Sequence, residues 1–110
     1  MFNITESNAA RYFRCADRAS RLLSEGYKIV EGRCVMPNTP GAAFLFSVVS
    51  PALNAYSVNL AEVTCNCPDF EKNGDFCKHL IFVAETEKDN AEMWNAICGE
   101  VDARAELQAA

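Results

Sequence analysis

The apolar positions Tyr12, Phe13, Ala16, Ala19, Leu22 and Leu23 gather on one side of the chain at about 100° per residue. That period predicts a helix within residues 1–26, capped by Thr5 or Ser7, running to about Glu25 and stopped by Gly26. From Tyr27 to Met36 the period shortens to two and β-branched and aromatic residues dominate, so a strand is expected. Pro37-Asn38-Thr39-Pro40-Gly41 is a dense loop signal. Ala43–Val49 is apolar on both faces, the mark of a central strand. After a turn at Ser50–Asn54, Tyr56, Val58 and Leu60 alternate with Ser57, Asn59 and Ala61, a half-buried strand. The alternation slips at Ala61-Glu62 and resumes on Val63, Cys65 and Cys67, which predicts a tight hairpin or a bulge. Short connections favour an antiparallel meander of three or four strands over residues 27–64. A helix is expected over Leu80–Glu85, and a second, C-terminal one over 89–107, opened by Asp89-Asn90 and carrying Met93, Trp94, Ile97, Cys98 and Val101 as its apolar stripe. The fold class is α+β, in a single domain of 110 residues.

The densest chemistry lies between the last strand and the first of these late helices. Cys65, Cys67, Cys77 and His79 form CxC, nine intervening residues, then CxH, and His79 is the only histidine in the chain. Three thiols and one imidazole are one complete ligand set for a tetrahedral, structural Zn²⁺. On an extended strand, residues i and i+2 share a face, so Cys65 and Cys67 can turn both sulfurs to one ion. Zn–S bonds of about 2.3 Å place those sulfurs roughly 3.7 Å apart. Pro68 ends the strand and Lys72-Asn73-Gly74-Asp75 supplies a return turn. Residues i and i+2 of a helix lie about 200° apart, so Cys77 belongs at or just before a helix start, with His79 slightly further in.

Other chemistries share these residue types. Six cysteines is an even number and admits a disulfide framework, but CxC is an awkward spacing for one and no secretory leader precedes it. A Cys-His nucleophilic pair needs one activated thiol rather than three clustered ones. A [2Fe–2S] cluster on the same four ligands is the chemical rival that ligand identity leaves open. Cys15, Cys34 and Cys98 read as small buried hydrophobes. Free thiols in a chain without a leader favour the reducing cytoplasm, and no apolar run is long enough to span a membrane.

With Cys65-Asn66-Cys67-Pro68-Asp69-Phe70, Gly74 and Cys77-Lys78-His79-Leu80 in place, the segment over about residues 55–85 resembles the SWIM-type zinc finger, whose members often read CxCPDF, then Gly, then CKHL. More loosely, the helix ending at Gly26 and the strands before the finger resemble small stand-alone SWIM proteins. The resemblance implies binding, to DNA or to protein partners, and not catalysis.

Charge separates the possible partners. The chain carries −5. Through Arg33 there are six basic and four acidic residues, a net +2, which leaves −7 for the remainder. An acidic domain starts at a disadvantage on a polyphosphate. Only a local patch would serve, and Arg11, Arg14, Arg18 and Arg21, spaced three, four and three on the helix side opposite its apolar stripe, are the candidate. The bland alternative is a solvated face balanced by Asp17 and Glu25. Lys72 and Lys78 in the finger are further candidates for DNA or RNA contact, although they equally offset the −1 charge of a zinc held by three thiolates. Met93, Trp94 and Ile97 are candidates for a protein partner, with core packing as their alternative. The expectation is a zinc-stabilised, non-catalytic module that binds a protein, with nucleic acid as the second reading.

Overall fold

The computed structural model describes residues 2–109, with side chains described for all of these except Glu31 and residues 100–109. In chain order it contains α1 (Ala9–Ala19), β1 (Lys28–Val35), β2 (Ala43–Val49), β3 (Ala55–Asn59), β4 (Thr64–Cys65), α2 (Pro68–Asn73) and α3 (Lys78–Ala109). The strands form one antiparallel sheet in the order β1-β2-β3-β4, the meander that the short connections require. β2 is hydrogen-bonded on both sides, in keeping with its apolar run.

The core lies between the sheet and the first turns of α3. Phe44, Phe46 and Val48 of β2 and Val58 of β3 face inward. Leu80, Ile81, Phe82, Val83 and Ala84 are buried in succession, so this part of α3 is covered on every side. The cover comes from β2 across one face and from α1 across another. Phe76, just before α3, is fully buried and meets Tyr12 and Phe2 edge-on, with ring centroids 5.3 and 6.3 Å away. The finger therefore hangs from the most buried part of the molecule.

Four expectations are corrected by this architecture. First, the α-helix ends at Ala19, and residues 20–26 continue as tight turns in which Arg21 and Leu22 bond back three residues to Arg18 and Ala19. Second, Cys15, Ala19 and Leu22 are the inward positions, while Phe13 and Leu23 stand 67% and 72% exposed. The inward arc is centred on the small Cys15, which lets α1 approach α3 closely; a stripe drawn through the largest apolar side chains is turned too far. Third, no helix starts at Asp89: α3 runs without interruption from Lys78, and Asn90 bonds the side chain of Glu87 on the helix surface instead of capping a new one. Val101 of the expected C-terminal stripe lies outside the residues whose side chains are described. Fourth, Cys34 and Cys98 are not free thiols but a disulfide joining the end of β1 to α3, with Cα atoms 5.5 Å apart at a sequence separation of 64. A closure of that length removes on the order of 4 kcal/mol of unfolded-chain entropy. Cys15 is a buried free thiol, as expected.

The β1–β2 register shifts between Val30 and Arg33, a bulge that contains Gly32. A Cβ at Gly32 would stand 1.4 Å from the carbonyl oxygen of Leu45, so the strands approach there only because no side chain intervenes. Gly32→Ala is expected to destabilise the domain by about 3 kcal/mol, read as a fall in the urea midpoint without a change in slope.

Candidate metal centre

Three local devices assemble the finger. The first is the β3–β4 hairpin, whose turn places Val63 in the left-handed region at φ 59° and ends the ladder at the Val58–Cys65 and Asn59–Thr64 pairs. This turn is the phase slip visible in the alternation. Asn66, between the two thiols, extends the hairpin: its amide donates to the Ser57 carbonyl (3.2 Å), and its side-chain oxygen accepts from the Ser57 amide (2.8 Å).

The second device is α2. Pro68 does more than stop a strand: it occupies the first helical position, where its fixed φ and missing N–H are both accommodated. Cys67 is the N-cap, with extended backbone, and its Sγ accepts from the Phe70 amide at 3.4 Å. The helix ends at Gly74, which takes φ 70° and donates its amide to the Phe70 carbonyl. The third device is the start of α3. Cys77 immediately precedes the helix, its Sγ accepts from the Leu80 amide at 3.4 Å, and His79 projects from the first turn. This is the arrangement that CxH spacing demands.

Together these place one ligand atom from each of Cys65, Cys67, Cys77 and His79 within 4.8 Å of one another, all four residues buried. Donors bound to one zinc lie roughly 3.7 Å apart, so the spread suits a single ion. The His79 ring stacks on Tyr56, with centroids 4.4 Å apart and planes 22° apart, and Tyr27 flanks it at 6.0 Å. Its Nδ1 lies 4.0 Å from Cys77 Sγ, while Nε2 is buried with no hydrogen-bond partner. Burial, assisted by the charge of Lys78, lowers the imidazole pKa from 6.5 to about 4, so the ring is a neutral donor at physiological pH. Among the thiols, Cys77 is raised by its contact with Cys65 and by burial, and Cys67 chiefly by burial. Crowded thiols and an unpartnered buried nitrogen make a costly cluster for a core, and a divalent cation reverses that cost by holding the sulfurs as thiolates. The donor set fits one Zn²⁺.

Sequence reasoning missed three residues that support this centre. Arg11 is turned into the finger: Nη2 donates to the Phe76 carbonyl (2.7 Å) and to Asp69 (3.3 Å), and Nη1 donates to the Gly74 carbonyl (3.3 Å). Its guanidinium also lies over the Phe76 ring, 4.8 Å from the centroid. Tyr56 holds the imidazole face, and Asn66 locks the CxC turn. Only Asn66 left a local signal, as an Asx residue in a turn; the other two act across long sequence separations.

The remaining candidates are distributed differently. Arg14 and Arg18 are exposed, and Arg21 pairs with Asp17 at 2.9 Å. Lys72 is exposed, whereas Lys78 bonds the Tyr27 hydroxyl at 3.4 Å and lies over its ring. The four arginines thus do not form one outward stripe. Met93 is 49% exposed, Ile97 is half-buried, and Trp94 stacks on Phe44 at 4.8 Å.

A structural zinc contributes on the order of 10 kcal/mol, comparable with the whole stability of a domain this size. Cys65→Ser and His79→Ala are each expected to lose bound zinc and cooperative melting, checked by metal analysis and calorimetry. Arg11→Ala is expected to cost about 2 kcal/mol through three lost hydrogen bonds from a charged donor, with faster amide exchange at residues 74–77 and zinc still bound.

Among the described residues, no helix is long and apolar enough to cross a membrane. No curated protein and no solved structure matches the chain. A family model does match: that of the SWIM zinc finger, over residues 51–88, which contains all four clustered ligands. The local architecture and the family match agree on the same four residues, and residues 51–88 of the chain match the SWIM zinc finger.

Proposed function

We propose that this chain is a non-catalytic binding module, stabilised by its zinc, whose partner is a protein. The first half is supported by the donor set: four buried protein ligands would by themselves fill the shell of a tetrahedral ion. The second half is supported by where the surface side chains went. Phe13 and Leu23 face solvent at 67% and 72% exposure, and the aromatic body of Phe13 is the kind of anchor protein interfaces use. Two of the four arginines are engaged within the molecule, Arg11 on the finger and Arg21 on Asp17, which leaves a chain of net charge −5 little with which to neutralise phosphates.

One observation favours nucleic acid as the second reading. Arg18 borders two adjoining clefts, one shared with Arg14, Asp69 and Asn73, the other opening onto the metal ligands Cys67, Cys77 and His79 beside Tyr27, Tyr56 and Lys78. Cations beside aromatic rings are the elements of single-strand binding.

The two readings part on one pair of variants. Phe13→Ser with Leu23→Ser should abolish recovery of a co-purifying protein partner while zinc content and melting stay unchanged. Labelled oligonucleotides should show no change in fluorescence anisotropy even at low salt. Oligonucleotide binding that weakens with salt, and that Arg14→Ala with Arg18→Ala reduces along with the salt slope, would establish the nucleic-acid reading instead.

A further inference from the structure

The cysteines of this chain stand in two oxidation states. Cys65, Cys67 and Cys77 are thiols gathered with His79, while Cys34 and Cys98 are joined to each other. The disulfide grips α3 about five turns beyond the metal centre. It holds the helix to the end of β1, next to the loop that leads into β2.

Among the described residues, three further contacts hold that part of the helix beside the buried Ala91 and Cys98. The Asn38 amide donates to the Cys98 carbonyl at 2.9 Å, and the Phe44 amide donates to Asn95 Oδ1 at 2.7 Å. Trp94 stacks on Phe44. Beside them a cleft of about 220 Å³ opens between helix and sheet, lined by Ile29, Val30, Phe44, Phe46, Glu87 and Trp94. A helix that leaves such a space against its sheet forgoes dispersion contacts there, in contrast to the close packing around Leu80–Ala84. The two halves of α3 are therefore held by different means: the first by a filled core and a metal ligand, the second by one covalent bond, the buried Ala91 and the contacts just named.

We propose that Cys34–Cys98 is a redox latch: a dithiol reductant opens it and releases residues 90–98 of α3 from the β1–β2 hairpin, while the zinc finger stays assembled. Cys34 retains some exposure whereas Cys98 has none, so the incoming thiolate attacks Cys34 Sγ. The S–S bond breaks, and Cys98 Sγ leaves as a thiolate and takes up a proton. The second thiol of the reductant then attacks the mixed disulfide, which frees Cys34 as a thiol and leaves the reductant as its cyclic disulfide. Two electrons pass from reductant to protein. The opened latch uncovers Trp94 and Phe44, an aromatic pair that faces the cleft. The proposal does not depend on what the module binds.

The test uses the full zinc-loaded chain before and after dithiothreitol. Intact mass should show the untreated protein two mass units lighter than the reduced one. Trp94, the only tryptophan, reports on the latch directly. Its quenching by acrylamide should rise at least about twofold on reduction, and amide exchange over 90–98 about tenfold, with exchange over 76–84 and zinc content unchanged. Cys34→Ser with Cys98→Ser should behave as the reduced protein without any reductant, which keeps the result readable should dithiothreitol itself draw zinc away. The proposal is overturned by any of three results: free Cys34 and Cys98 thiols in protein kept in glutathione disulfide, quenching and exchange in the serine variant equal to those of the oxidised protein, or loss of zinc from that variant.

Discussion

Four metal-binding groups forced together out of contact with water impose the constraint on which the rest of this structure depends. Three thiols and an imidazole within 4.8 Å of one another are a poor core on their own terms, since the Cys67 and Cys77 thiols resist ionisation and one ring nitrogen has no partner. A zinc ion turns the same arrangement into a strong one, but only when backbone donors and neighbouring cations suit the thiolates it creates. The Phe70 and Leu80 amides meet two of the sulfurs, each at the start of a helix, where the macrodipole also favours negative charge. Lys78 sits beside the site, its ammonium held on Tyr27. The secondary structure around the finger is therefore subordinate to the electrostatics of four donors.

Arg11 connects this centre to the other end of the chain. Its hydrogen bonds to the Phe76 and Gly74 carbonyls close the segment between α2 and α3, and its position over Phe76 ties α1 to the deepest aromatic ring in the core. The same fact changes the surface. An arginine committed to backbone carbonyls is not available to a phosphate, whereas Arg21 makes only an exposed pair with Asp17 on its own segment. What is left outward on this segment is a mixture of Arg14 and Arg18 with the exposed Phe13 and Leu23.

α3 acts as a beam between two kinds of sulfur chemistry. Its first turn carries His79 and follows Cys77, and its later turns carry Cys98. Near the finger it is enclosed between sheet and α1; towards Cys98 it lies over a partly filled cleft. The two ends of one helix are thus held by different means, an enclosing core near the finger and a disulfide towards Cys98.

The finger was legible from residue identity and spacing because a tetrahedral ion specifies both. CxC and CxH fix which residues share a face and where a helix must begin, and no distant part of the chain enters that argument. The meander was legible for a similar reason: period-two alternation, the apolar run of Ala43–Val49 and short turns are all local. Local pattern misled where two signals competed. Pro68 reads equally as a strand stop and as a helix opener, and Asp89-Asn90 reads as a cap wherever the helix has not already begun. Tertiary packing alone decided the rest. Cys15 outranks Phe13 as an inward residue because α1 must come close to α3, and closeness favours the small side chain. Cys34 reaches Cys98 across 64 residues because the sheet and α3 set their Cα atoms 5.5 Å apart, a distance that exists only once both are in place. Arg11 found its carbonyls by the same route: the sequence supplies a charge and a reach, and the folded chain supplies the oxygens that meet it.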